Sequence, residues 1–226
     1  MARVVVFGTG VGADTAYRYL SRDSPHVVSG FAVDAAYLSR REFHGLPVVE
    51  YESVTERFPP DEFKMFILMG FQRMNAVRTA KYLDAKSKGY ECVSYVSSHH
   101  YALEGVTVGE NCFILDSQTF NLDVRFGNNI MVWSGNHFGD RSVIGDHSWI
   151  SSHVTISGDV AVGESCFLGV NACVSNDVQL GPRTFVGAGA VIAKSTAADS
   201  VHVAPSSRVV AMSSDRFVGV LKSGGV

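Results

Sequence analysis

The chain has 226 residues, 46% of them hydrophobic, with a formal charge of −3 at pH 7 and a pI of about 6.2. That length and apolar content allow one large or two modest domains with a full core, and the absence of a Lys/Arg block excludes nucleic acid as the expected partner. No apolar run reaches the ~18 residues of a membrane span, and the opening MARVVVFGTG runs into glycines rather than a signal-peptide cleavage site.

The first hundred residues alternate strand-like and helix-like segments. Residues 4–7 (VVVF) are all apolar, as in a strand buried on both faces, and end in Gly8, Thr9 and Gly10 before a helical stretch that runs to about Leu20. Val27–Val33 reads as a second strand ending at Asp34, and residues 64–69 (KMFILM) as another. Residues 75–88 carry an amphipathic helix pattern that stops at Gly89, a residue suited to a helix C-terminus. Residues 91–96 read as a further strand. This is a βαβαβ unit on a parallel sheet, an α/β Rossmann-like domain over residues 1–100.

Residues 106–193 obey another rule. Counting every sixth residue from Val108 to Ile192 meets fifteen large apolar side chains without exception. Eight of them are followed by glycine, and the fourth position after each is mostly small or β-branched, as at Cys112, Ser142, Ser148 and Ala172. A period of six fits neither a helix nor a hairpin sheet. It fits a three-sided coil with one hexapeptide per face, bulky residues pointing inward, small ones filling the corners and glycines allowing the tight turns. Stacked at about 4.8 Å, roughly five such coils make a column of about 24 Å. The expected architecture over residues 101–205 is a left-handed parallel β-helix, with the handedness taken from the known association of the pattern. The four cysteines (Cys92, Cys112, Cys166, Cys173) show no metal-binding or paired spacing and read as buried thiols of a reducing, cytoplasmic compartment.

The stretches FGTG (7–10), MGFQRMNAVR (69–78), GY (89–90), SYVSS (94–98), WSGNHFG (133–139) and ISSHVTISG (150–158) resemble the bacterial sugar-nucleotide acetyltransferases, including the sialic-acid O-acetyltransferase-like enzymes of surface-glycan synthesis. The resemblance covers nearly all of residues 1–205; the tail, 206–226, matches nothing named. It implies a homotrimer with active sites in clefts between β-helices, a nucleotide-linked sugar on the N-terminal domain, and acetyl-CoA along the helix as co-substrate, with no metal.

Gly8, Thr9 and Gly10 follow a strand and open a helix, where backbone amides attract phosphate. About 100 residues hold only half of a doubly wound dinucleotide domain, so a diphosphate sugar is the favoured ligand. Asp34 suits a ribose or caps a loop, and Gly70 joins the same site.

Acetyl transfer from a thioester needs a proton acceptor and an oxyanion donor. The resemblance places the usual histidine base at Asp140, a departure from the family pattern. Three readings follow: His137 is the base with Asp140 orienting it or the substrate; Asp140 is itself the base or binds an amine; or no side-chain base operates. The resemblance also places the oxyanion donor at the Gly158 N–H and the pantetheine and diphosphate arm at Val170 and Ala188; Gly187 either brings backbone close to the cofactor or only turns a corner, and Lys194, where the coil ends, meets a CoA phosphate or solvent. His147 and His153 read as surface or interface residues, Asn136 as structural, and Trp149 as a wall of the cleft or a contact between subunits. The alternatives are a non-catalytic nucleotide-sugar-binding scaffold and, more remotely, a zinc trimer of carbonic-anhydrase type using His137, His147 and His153.

Overall fold

The computed structural model describes residues 1–222, so the last four residues of the expected 206–226 tail lie outside the described residues. The N-terminal region opens with β1 (Arg3–Phe7), α1 (Val11–Arg22) and β2 (Val27–Val33). The hairpin β3 (Glu42–Phe43) and β4 (Leu46–Glu50) follows, which the sequence reading had not anticipated. Next come the short α2 (Val54–Arg57), β5 (Lys64–Ile67) and α3 (Ala76–Ser87). The sheet order is β3-β4-β2-β1-β5, parallel except for the β3–β4 pair. Alternation along β1 explains the unbroken apolar run: Val4 and Val6 share a core with Ala13, Ala16 and Leu20 of α1, whereas Val5 and Phe7 face Tyr82 and Ala85 of α3.

The strand expected over 91–96 is divided. Cys92 makes one parallel bridge to Met65, but Tyr95–Val96 pairs with Phe113–Ile114 and belongs to the coil. The reason is the six-residue count itself: Val96 stands twelve residues before Val108 and packs against the same inner core.

From Tyr95–Val96 to Val201–His202 the chain forms two-residue strands in three parallel sheets of seven, six and five strands. Successive strands of a sheet pair at a spacing of eighteen residues, as Thr119–Phe120 does with His137–Phe138 and Thr155–Ile156 does with Cys173–Val174, except that Phe185–Val186 pairs with Val201–His202 sixteen residues on. This arrangement fits a left-handed parallel β-helix. Every sixth-position residue except Val108 is buried, and Val108 packs against the same core. The small corner residues are buried too, and their hydroxyls satisfy turn carbonyls: Ser142 Oγ donates to Gly139 O at 2.7 Å and Thr184 Oγ1 to Gly181 O at 2.7 Å.

The glycines after the inward residues do not make the turns, contrary to the sequence expectation. The left-handed residues lie two places later, among them Asn111 (φ 52°), Asn129 (56°), Arg141 (58°) and His147 (64°). Glycine is needed for the close approach of stacked coils: a Cβ on Gly139 would lie 2.5 Å from Gly158 N, and one on Gly181 2.5 Å from Ala198 N.

One face of the prism carries Tyr95, Phe113, Met131, Trp149 and Phe167 outward, again eighteen residues apart, and all are buried in a core shared with β1 and α1. The α/β unit and the coil are thus joined by apolar packing. Helix α4 (Ser214–Lys222) has no buried residues. Among the described residues no helix is long and apolar enough to cross a membrane.

Candidate active site

A second face of the prism carries Thr119, His137, Thr155 and Cys173 outward. Along its trailing edge the chain turns through Asp140, Gly158 and Asn176, one above another. Here lies an open depression of about 370 Å³, lined by His137, Asp140, Arg141, Thr155, Gly158, Asp159, Asn176 and Asp177 among others. The predicted His137, Asp140 and Gly158 therefore meet in one place. His137 and Asp140 are half-buried, and no hydrogen bond joins them among the described residues.

The corner is held by a ladder in which each side chain accepts the amide eighteen residues earlier. Asp140 Oδ1 accepts from Leu122 N at 3.1 Å, and Asn176 Oδ1 accepts from Gly158 N at 3.1 Å. The Gly158 amide is thus already engaged within the chain. Arg141 grips Asp159 through two bonds of 2.6 and 2.5 Å, which hold the Asp159 carboxyl below its usual range. With Asp140, Asp159 and Asp177 set against Arg141, the cleft carries an excess of negative charge and suits a cationic group.

Val170 and Ala188 are exposed on the opposite, leading edge of the same face. Gly189 N donates to Val170 O at 2.8 Å, and Gly187, buried, donates to His202 O at 2.7 Å. Lys194 is exposed just past the strand Val191–Ile192. Within one chain none of these residues lines the depression at His137.

Of the N-terminal candidates Gly70 lines a second cavity, whereas Gly8, Thr9, Gly10 and Asp34 are not among its lining residues. β1 and β5 are adjacent and parallel, but α1 packs on one face of the sheet and α3 on the other, which opens a crevice at the strand ends. It measures about 370 Å³ and is lined by Val11, Gly12, Thr15, Leu68, Met69, Gly70, Gln72, Trp133 and Trp149. Gly8 turns the chain out of β1 at φ +98°, and Gly10 is the cap of α1, whose first amides have no acceptor within the helix. Gly70 is on the crevice wall. Asp34 is placed apart, on the α3 side. Its Oδ1 accepts from Lys81 Nζ at 2.5 Å, and that ammonium also lies 4.2 Å from the Tyr51 ring centre.

The other histidines have structural settings. His147 is half-buried at the junction with α3, its Nδ1 3.0 Å from Asn129 Nδ2 and its ring edge-on to Tyr82; burial pushes its pKa down. His153 is exposed at a different corner. Among the described residues no group of three or more His, Cys, Asp or Glu side chains, these histidines included, is placed to hold a metal. Asn136 is buried, and its Oδ1 accepts Val154 N at 2.6 Å, a coil-binding role. Trp149 packs between the α/β unit and the coil, against Phe71 and Trp133, rather than in the His137 cleft.

No family model matches the sequence. Solved structures do match. A histidine-to-asparagine variant of perosamine N-acetyltransferase from Caulobacter crescentus, solved with CoA and GDP-perosamine, superposes with a TM-score of 0.78 at 23% identity, over 90% of this chain and 94% of that one. The chain has the fold of perosamine N-acetyltransferase. The acetyltransferase domain of PglB from Neisseria gonorrhoeae matches at TM-score 0.76 and 15% identity, over 90% of this chain and 97% of that one. WeeI from Acinetobacter baumannii matches at 0.75 and 19%, over 93% and 100%. The likeness spans both halves of the molecule.

Sequence reasoning missed Asn176, Lys81 and Trp133 as site residues. Asn176 stands eighteen residues after Gly158, and that spacing was a usable signal. Nothing local marks Lys81 as the partner of Asp34, forty-seven residues away.

Proposed function

We propose that the protein is an acetyl-CoA-dependent N-acetyltransferase acting on a nucleotide-linked amino sugar in surface-glycan synthesis. In this reading it is a cytoplasmic homotrimer, with a Rossmann-like nucleotide-sugar domain over 1–100 and a left-handed β-helix acyltransferase domain over 101–205. The observation that carries it is the placement of His137, Asp140 and Gly158 on one edge of a face whose other edge presents Val170, Gly187 and Ala188. A neighbouring copy laying its leading edge against this trailing edge unites the two sets, with acetyl-CoA between them. The glycine loop and Gly70 hold the diphosphate and sugar, and Asp34 the ribose.

In the reaction the sugar amine attacks the thioester carbon. A C–N bond forms, the Gly158 N–H stabilises the oxyanion, and collapse breaks the C–S bond to release CoA. Imidazole exchanges protons near neutral pH, so His137 takes the amine proton and passes it to the departing sulfur. Asp140 draws the amine into the acidic cleft, which favours an amine over a neutral hydroxyl as acceptor.

Engagement of the Gly158 N–H by Asn176, and of Asp140 by Leu122 N, favours a second reading, a nucleotide-sugar-binding scaffold without catalysis. Thiol release from acetyl-CoA, measured across UDP-, GDP- and dTDP-linked amino sugars, decides between them. Turnover with one member of the panel supports the enzyme; tight binding without thiol release supports the scaffold.

A further inference from the structure

Arg78 of α3 is fully buried, and among the described residues no carboxylate pairs with it. Its Nη1 donates to Asn75 Oδ1 at 3.0 Å and Gly70 O at 3.4 Å. Its Nη2 donates to the carbonyls of His147 at 2.6 Å, Asn129 at 3.3 Å and Ser148 at 3.4 Å. Nε has no partner, and the guanidinium lies 5.7 Å from the Trp149 ring centre. Burial pushes its pKa down to about 9, so it remains a cation at neutral pH. A buried charge satisfied by carbonyls alone is costly.

The chain leading to it is strained as well. Arg73, Met74 and Asn75 take successive left-handed conformations, with φ of 52°, 52° and 66°. Asn75 is buried and donates through Nδ2 to the carbonyls of Ser165 and Cys166, at 3.2 and 3.3 Å. Arg78 and Asn75 together pin this turn to one corner of the prism.

What they pin is one wall of the crevice. Met69, Gly70 and Gln72 line the crevice from the turn after β5, and Trp133 and Trp149 line it from the prism. Arg78 touches both, holding the Gly70 carbonyl on one side and, on the other, the ring of Trp149 with the two carbonyls that precede it. We infer that Arg78 is a positioning residue that sets the width of this crevice and thereby the affinity for the sugar nucleotide. The affinity part rests on the nucleotide-sugar reading above; the width part does not. A planar fork reaches both walls at once, which the single ammonium of lysine cannot do.

The two tryptophans of the chain both line the crevice, so intrinsic fluorescence reports on it directly. The test compares wild type with Arg78→Lys, using acrylamide quenching, titration with a UDP-linked and a GDP-linked amino hexose, and steady-state kinetics. The inference expects stronger quenching in the variant, and Kd and KM for the sugar nucleotide raised about tenfold through the lost hydrogen bonds. KM for acetyl-CoA and kcat stay unchanged. A packing role alone lowers Tm and leaves quenching, Kd and KM as they were, which overturns the inference. Should Arg78→Lys fail to fold, Asn75→Gly keeps the left-handed backbone and removes the second clamp; unchanged quenching there overturns the inference equally. If no sugar nucleotide perturbs wild-type fluorescence, the nucleotide-sugar reading is what fails, and the quenching comparison still decides whether Arg78 sets the width.

Discussion

Asn176 Oδ1 accepts the backbone N–H of Gly158 at 3.1 Å, inside the depression that also holds His137 and Asp140. A thioester oxygen seeking that amide competes with Asn176, and the net worth of one such bond is about 1 kcal/mol, or about fivefold in affinity. Asn176→Ala is therefore expected to raise kcat/KM for acetyl-CoA about fivefold while lowering Tm, as read by thiol release and thermal melts. A drop in kcat/KM would mean that Asn176 assists the reaction.

Asp140 is separable from its structural task. Asn176 shows that an asparagine serves the same ladder, so Asp140→Asn retains the bond to Leu122 N and removes the charge alone. The expectation is an unchanged melt and a raised KM for the amine acceptor. His137→Ala is expected to lower kcat by about 100-fold or more. Losses below about tenfold in both variants, or ~1.4 kcal/mol, would leave neither side chain as the proton acceptor.

Two glycines separate crowding from backbone strain. Gly139→Ala places a methyl 2.5 Å from Gly158 N, against backbone that cannot yield cheaply, and a loss of about 3 kcal/mol is expected. Gly189 has φ +67° with nothing within 4 Å of its Cβ position, so Gly189→Ala is expected to cost about 1 kcal/mol. Chemical denaturation of both variants checks the order. The larger loss at Gly139 carries a second consequence, because displacing Gly158 also disturbs the proposed oxyanion donor.

Asp23, at the end of α1, ties the α/β unit to the first coil. It accepts from Ser98 N at 2.9 Å and Tyr95 Oη at 2.8 Å. Hydrogen bonds from Ser98 and Tyr95 hold its pKa at about 2. A carboxyl lowered on folding stabilises the fold above its unfolded pKa of about 4 and loses that contribution as pH falls through about 2. Asp23→Asn should therefore melt earlier than wild type at pH 7, with the gap closing between about pH 4 and pH 2. A gap that persists at the acid end would assign the effect to packing.

The prism is legible in the sequence because its interior admits one large apolar side chain per face, and Val108 through Ile192 meet that demand at every sixth place. The cleft is legible for a related reason: residues eighteen apart are neighbours, so His137, Asp140 and Gly158 fall together once the coil is known. The outward row Phe113, Met131, Trp149 and Phe167 obeys the same spacing, but what it packs against belongs to a distant segment. The pairing of Asp34 with Lys81 and the carbonyls gathered by Arg78 likewise join residues that no period relates. The purpose of the glycines is not legible in the sequence, because closeness between coils leaves no mark on a glycine's own turn.

Pairing at intervals of eighteen residues gives the column a screw-like tolerance. Deleting one hexapeptide would leave every inward side chain inward, yet would swing all later coils by a third of a revolution. The aromatic row would then split between two sides, and His137 would part company with whatever lies beyond the cut. An insertion of one whole revolution beyond Lys194 preserves both alignments, so the molecule can be lengthened at its far end without retuning its chemistry.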